Sequence, residues 1–228
     1  MDEYLQSNDE FWQYGYEAEN VESYVFRPYG IILKYELGID GSKNEKLLEF
    51  GCGQGAACQF FKSKGFDVYG IDISNVDINR CQQKMPDIAS HFEVIDPKPE
   101  ESDVFFGGEY DVVVGIQSLY YYTNTDMQTR LISLYNQMRK GAVIYATMIG
   151  TKMFYYDYST EYKDGLRKVD FSKPRIQVKD YFVNFTSSES ELEQKFSMFK
   201  KLHIGSYTQN FREDEGVSFH YTFVGQKE

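Results

Sequence analysis

The chain has 228 residues, 42% of them hydrophobic, and its 24 Lys and Arg against 35 Asp and Glu leave a net charge of −11. That size suits one α/β domain with an added lid, and that charge sets a field that repels a phosphate polymer and so argues against a nucleic-acid partner. The three cysteines, Cys52, Cys58 and Cys81, form no C-x-x-C, and no apolar run reaches the roughly 18 residues of a membrane span, so neither a disulfide framework, a zinc site nor a membrane segment is expected.

The first 37 residues are rich in aromatics and acids, with Trp12, Tyr14, Tyr16 and Tyr24 among them, and Arg27 is the only basic residue before Lys34. The acids near the start stand where a signal peptide would need a basic segment, so a soluble, cytoplasmic protein is expected. Residues 28–38 read as a helix with Ile31, Ile32, Tyr35 and Leu37 inward, followed by a polar connection.

Next comes the stretch Leu47-Leu48-Glu49-Phe50-Gly51-Cys52-Gly53-Gln54-Gly55. A short apolar run stops at an acid, three glycines follow at alternate positions, and a helix begins at Ala56 with Phe60 and Phe61 inward. Glycines here allow positive φ and leave room for a ligand beside the main chain. Gly65 stops the helix, and residues 66–73 form a second strand ending at Asp72. A β-α-β unit with an acid at the end of its second strand is the pattern of a nucleoside site, the acid accepting from both ribose hydroxyls.

Ser74 is a plausible N-cap for a helix over 76–84, which Met85-Pro86 ends. A third strand runs to Asp96, Pro97 and Pro99 make a loop, and a fourth strand starts at Tyr110. Asp126 is placed as the cap of a helix running through Arg139, with Met127, Leu131, Leu134, Tyr135 and Met138 at helical spacing. Residues 141–149 are a nearly continuous apolar strand, as a strand buried on both faces should be. Residues 150–184 carry an aromatic run and then basic residues, among them Arg167, Lys173, Arg175 and Lys179. They read as a lid that supplies substrate specificity, with a mild preference for an anionic or polar acceptor. Ser188 and Glu191 form a capping-box pattern for a helix to about residue 199, and two last strands cover 202–208 and 217–225, the second containing His220.

Gly51, Gly53 and Ala56 also satisfy the dinucleotide fingerprint, so a nicotinamide-linked oxidoreductase has to be weighed. Glu49 speaks against it, because a pyrophosphate over the turn would be repelled by a neighbouring carboxylate, whereas a sulfonium would be attracted. With the third glycine included, residues 49–55 resemble the first motif of the class I S-adenosylmethionine-dependent methyltransferases. The resemblance continues in order through Asp72, the third strand ending at Asp96, and the fourth strand with Ile116, Gln117, Ser118, Leu119, Tyr120 and Tyr121 after it, covering roughly residues 46–148.

The resemblance implies a Rossmann-like α/β fold with a seven-stranded, mostly parallel sheet and an antiparallel last strand. An N-terminal helical cap over 1–45, a cofactor core over 46–149, a lid insertion over 150–185 and a C-terminal part over 186–228 would share one domain. It implies S-adenosylmethionine as cofactor, held by Glu49, Gly51, Cys52, Gly53 and Gly55 at the bend, Asp72 on the ribose, Ile73 beside the adenine, Asp96 and Pro97 at its amino group, and Ile116 and Gln117 near the methionine end. N-terminal aromatics such as Tyr16 would wall the sulfonium, and Arg27 would pair with a carboxylate. The expected reaction is methyl transfer to a small polar metabolite, an O- or N-acceptor such as a sugar or phosphorylated compound. Tyr120, Tyr121 and His220 are the candidates for orienting or deprotonating it. No metal, nucleic acid or membrane is expected, and the protein would be a monomer or homodimer. The competing readings are the NAD-linked oxidoreductase and a non-catalytic module that binds S-adenosylmethionine.

Overall fold

Strand β1 (Lys46–Phe50) is an inner strand of the main sheet and places alternate side chains in two different layers. In the computed structural model, which describes residues 21–170, 181–210 and 216–228, Leu47 and Leu48 are both fully buried on opposite faces of the sheet. Each such burial contributes about 1.5–3 kcal/mol. The other strands of the sheet are β2 (Asp67–Asp72), β3 (Phe92–Val94), β4 (Tyr110–Gly115), β5 (Met138–Ile149), β9 (Lys200–Gln209) and β10 (Ser218–Gln226). Their spatial order is β3-β2-β1-β4-β5-β10-β9. Strands β1 to β5 are parallel, and β10 runs antiparallel to both β5 and β9. The chain leaves β1 outward on one side and returns to it at β4, so a crevice opens beyond the carboxyl ends of β1 and β4.

Helix α1 (Ser23–Pro28), a following π-helical segment (Tyr29–Glu36), α2 (Ala56–Ser63) and α3 (Asn75–Lys84) precede the third strand. Val25, Leu33, Cys58 and Phe61 pack with Leu47, Val112, Val114 and Tyr145 on one face of the sheet. On the other face, α4 (Asn124–Asn136) and α5 (Glu189–Lys195) bring Met127, Leu131 and Leu192 against Leu48, Val113 and Phe223.

Several boundaries differ from those read in the sequence. Over residues 29–36 the backbone closes a five-residue step, with Leu37 N–H donating to the Ile32 carbonyl at 2.9 Å. This turns Tyr29 and Leu33 inward and leaves Ile31 and Tyr35 exposed, while Ile32 and Leu37 pack as expected. Ser74 caps α3 as expected, accepting from Asp77 N–H. Helix α4 is capped by Thr123, not Asp126, and it ends at Asn136; Met138 and Arg139 already belong to β5. Strand β3 stops at Val94, two residues before Asp96. Ser188 caps α5, but that helix ends at Lys195, and Glu191 turns to Ser187 and Lys195.

The segment after β5 is a small antiparallel sheet of β6 (Ser159–Lys163), β7 (Leu166–Val169) and β8 (Tyr181–Asn184). Asp164 and Gly165, both at positive φ, form a two-residue hairpin turn between β6 and β7. That turn sits on the start of α4: the Asp164 carbonyl accepts from Asn124 N–H at 2.9 Å and its carboxylate from Thr125 N–H at 2.9 Å.

Candidate active site

Residues 51–55 bend sharply between β1 and α2. Gly51 has φ +71° and Gly53 +50°, a region that side-chain-bearing residues rarely occupy. A Cβ on Gly51 would lie 2.3 Å from the Cβ of Ser118, so the bend and the turn after β4 touch through the missing side chain. A Cβ on Gly53 would meet nothing within 4 Å. The bend is fixed from the second strand. The Asp72 carboxylate accepts from Gly53 N–H at 2.9 Å and, with its other oxygen, from Ser74 N–H at 2.8 Å.

Above the bend lies a cavity of about 650 Å³, within the ~300–1,000 Å³ range of small-molecule sites. Gly51, Gly53 and Phe50 form one side, and Asp72, Ile73 and Asp77 another. Ile95 and Pro97 follow β3; Gln117, Ser118, Tyr121 and Tyr122 follow β4. Thr123 and Asp126 come from the start of α4, and Leu166 reaches in from the small sheet. No lysine or arginine is among these lining residues, whereas three carboxylates are. Asp126 is paired with Lys98 and Asp77 with Arg80.

The geometry therefore brings Gly51, Gly53, Asp72, Ile73, Pro97, Gln117 and Tyr121 to one cavity. Other expected residues stand elsewhere. Glu49 is buried below the bend, on the α2 side of the sheet, where it accepts from Cys58 Sγ at 2.8 Å. Burial pushes its carboxyl up to about 7, because a desolvated carboxylate is disfavoured. Cys52 is buried behind the bend, with Cys58 and Cys81 beside it, and burial pushes the Cys58 thiol up to about 12. Gly55 is packed against Cys81 and Met85. Asp96 is exposed and accepts from Lys98 N–H at 2.8 Å. Ile116 packs against the core on the α2 side, Tyr120 is buried, and Arg27 is exposed on α1. Tyr16, Trp12 and Tyr14 lie outside the described residues.

Gln117 lines the cavity at φ +52°, a strained position for a non-glycine residue. Its N–H donates to Thr147 Oγ1 at 2.7 Å and its side-chain amide donates to Tyr207 Oη at 2.9 Å. The Tyr207 ring stacks between Tyr24 (4.6 Å) and His220 (5.0 Å). His220 also approaches the Tyr120 ring at 5.8 Å, and Tyr120 lies 4.7 Å from Tyr121. Sequence reading missed Tyr207, Thr147 and Leu166, whose roles depend on contacts between segments far apart in the chain. Ser118 was within reach, since a serine three residues after a strand-end glycine is a natural neighbour of a bare bend.

A methyltransferase-domain family model matches residues 21–195 of the chain. No curated protein matches it. Solved structures share its fold. A S-adenosylmethionine-dependent methyltransferase from Methanosarcina mazei is 17% identical, with a TM-score of 0.66 over 85% of this chain and 97% of that one. One from Clostridium acetobutylicum is 11% identical, with a TM-score of 0.62 over 98% of each chain. A magnesium protoporphyrin IX methyltransferase from Synechocystis with bound S-adenosylmethionine is 15% identical, with a TM-score of 0.57 over 89% of this chain and 79% of that one. The cavity suits that cofactor: Asp72 stands at its wall, Gly53 is bare toward open space, and the acidic lining favours a cation and opposes a pyrophosphate. The match over residues 21–195 means that the chain belongs to the methyltransferase-domain family and is an S-adenosylmethionine-dependent methyltransferase.

Proposed function

We propose that this protein methylates an oxygen or nitrogen of a small polar molecule, and that the cavity over the glycine bend is where its cofactor is held. The cofactor supplies a methyl group on a cationic sulfur. Asp72 receives the ribose hydroxyls, Ile73 and Pro97 flank the adenine, and Asp96, next to Pro97, serves its amino group. Gly51 and Gly53 let the main chain come close, and Gln117 borders the methionine end. Glu49 lies below the bend, out of direct contact, and a cation bound above it would favour its ionised form.

Methyl transfer runs in line from sulfur to acceptor, so alignment and exclusion of water supply much of the rate. Leu166 lines the cavity, which supports a closing role for the small sheet that carries it. Tyr121 lines the cavity and would orient the acceptor; a phenol uncharged near pH 7 is a poor base. A phosphorylated acceptor, expected from the basic lid, loses one of its supports. Arg167 donates to the Ser159 hydroxyl at 2.7 Å and to its carbonyl at 2.8 Å, and it covers the Tyr156 ring. Lys173, Arg175 and Lys179 lie outside the described residues.

The observation that carries this reading is a cavity whose floor is the bend pinned by Asp72 and whose lining, among the described residues, holds carboxylates and no lysine or arginine. Calorimetry with S-adenosylmethionine and with NAD tests it. Binding of the first, abolished or strongly weakened by Asp72→Ala, is the expected result. Tight binding of NAD alone would reverse it. A panel of hydroxyl and amine acceptors, read by release of S-adenosylhomocysteine, then addresses the acceptor.

A further inference from the structure

His220 is 4% exposed, and among the described residues neither of its ring nitrogens has a hydrogen-bond partner. A buried polar group left unpaired is costly, and such groups mark either a strained site or a place where a ligand completes the bonding. His220 stands at the carboxyl end of the sheet, paired in register with Ile149 of β5 and Tyr207 of β9. Two short routes lead from it to the cavity. One is the ring stack to Tyr207, whose hydroxyl accepts from the cavity-lining Gln117. The other is Tyr120, which contacts Tyr121 at the cavity wall. Among the described residues, the titratable groups packed on the imidazole are Tyr207 and Tyr120, and burial lowers its basicity to about 4. The ring is therefore neutral at pH 7, with one nitrogen donating and one accepting.

We propose that the methyl acceptor is an uncharged molecule carrying an O–H or N–H, and that His220 receives that hydrogen on the aromatic wall formed with Tyr207 and Tyr120. Among the described residues the wall presents rings rather than cations, and of the three carboxylates lining the adjoining cavity Asp77 and Asp126 are ion-paired while Asp72 keeps its charge facing it, so an anionic acceptor is disfavoured. In the transfer, the acceptor's oxygen or nitrogen forms the new bond to the methyl carbon. The carbon–sulfur bond breaks with its electron pair going to sulfur, and the acceptor's proton passes to the free imidazole nitrogen. Tyr207 is a positioning residue, linking His220 to Gln117. This proposal rests on the methyltransferase reading above and adds the acceptor's charge class and the group that meets it.

The chain has three histidines, so ¹⁵N-histidine labelling gives a simple spectrum. The protein saturated with S-adenosylhomocysteine is titrated with phenol and, separately, with phenyl phosphate, and the ring nitrogens of His220 are identified by their loss in His220→Phe. The expected result is a saturable shift of the His220 nitrogens with phenol and binding of phenyl phosphate at least roughly tenfold weaker, from repulsion by the acidic lining. In His220→Phe, phenol binding is lost while calorimetric affinity for S-adenosylhomocysteine is kept, which also shows that the variant folds. Equal or tighter response to phenyl phosphate overturns the proposal, as does a His220 signal that neither probe moves while the cofactor product binds. Failure of S-adenosylhomocysteine to bind the unmodified protein would instead strike the cofactor reading itself.

Discussion

Glu49→Gln removes a titration that the fold suppresses, and its effect on stability has a sign and a size. The carboxyl is fully buried, has an ordinary value near 4.5 and is raised to about 7 in the folded protein. Between those values the folded state holds a proton that the unfolded chain has released, so stability falls as pH rises through this window. At about 1.4 kcal/mol per unit, the loss is negligible at pH 4, about 3 kcal/mol at pH 7 and slightly more at pH 9. Glutamine keeps the shape and the acceptor for Cys58 but never ionises. The stability advantage of Glu49→Gln over the unmodified protein should therefore grow by about 3 kcal/mol from pH 4 to pH 7 and then level off. Urea unfolding of both proteins at pH 4, 5, 7 and 9 measures it. A difference that stays flat across pH, or that shrinks as pH rises, would refute the account of Glu49 as a buried, largely neutral acid. In the proposed complex a bound sulfonium above the bend favours the ionised form of Glu49. The same variant should thus bind S-adenosylmethionine more weakly by calorimetry while being more stable at pH 7.

The glycines of the bend separate stability from binding. Gly53→Ala, whose Cβ meets no protein atom within 4 Å, should cost only about 1–2 kcal/mol of backbone strain yet weaken S-adenosylmethionine strongly, because the methyl enters the cavity. Gly55→Ala puts its Cβ 2.9 Å from both Cys81 Sγ and Met85 Cε, so urea unfolding should show the larger loss of the two. Asp72→Asn retains one acceptor oxygen where two N–H groups are now served, and should cost about 1–2 kcal/mol as well as cofactor affinity, both absent if the bend were self-supporting. For His220→Phe, the sign runs opposite to that of Glu49. Its ordinary value near 6.5 falls to about 4, so the unmodified protein loses stability as pH drops through that interval, about 2 kcal/mol between pH 7 and pH 5. The phenylalanine variant should not show that loss in urea titrations.

What the chain reveals on reading follows from how local each cause is. The bend at residues 51–55 and the acid at Asp72 were legible because both belong to one β-α-β unit, where strand, turn and helix are set by near neighbours. Glu49 was placed at the right strand end but in the wrong layer. Strand alternation puts it on the side of Leu47, under α2 and against Cys58, rather than at the cavity. The end of α4 was misread because Met138 continues the spacing of Leu131 and Leu134. The chain leaves the helix at Gln137, whose amide oxygen accepts from Phe105 N–H at 2.6 Å and whose nitrogen donates to the Asp103 carbonyl at 3.0 Å. Those partners are more than thirty positions away in sequence, so no periodicity reports them. The hairpin at Asp164-Gly165 is a different case. The dipeptide is a strong local turn signal inside a segment whose overall bias is aromatic and basic. Tyr207 meets Gln117 across ninety residues, and the unpartnered ring of His220 is a property only of the folded arrangement.

Glu49 and His220 together imply a stability profile that neither implies alone. On going from pH 7 to pH 5, protonation of the unfolded chain's carboxylate at Glu49 restores about 2 kcal/mol, and protonation of the unfolded chain's imidazole at His220 removes about the same amount. The unmodified protein should therefore be nearly indifferent to pH across this interval as far as these two groups are concerned. The carboxylates whose values are lowered in the fold, Asp40, Asp87, Asp164 and Glu191, act mainly below pH 4.5 and leave the interval clear. Each single variant exposes the other group: Glu49→Gln should lose about 2 kcal/mol from pH 7 to pH 5, and His220→Phe should gain about 2. The double variant should be flat again, because the two sites lie in separate parts of the sheet and their effects add. If the double variant instead followed one of the singles, one of the two groups would have to be charged and compensated in the fold, and the neutral pairing of a buried acid and a buried base on either side of the active site would have to be given up.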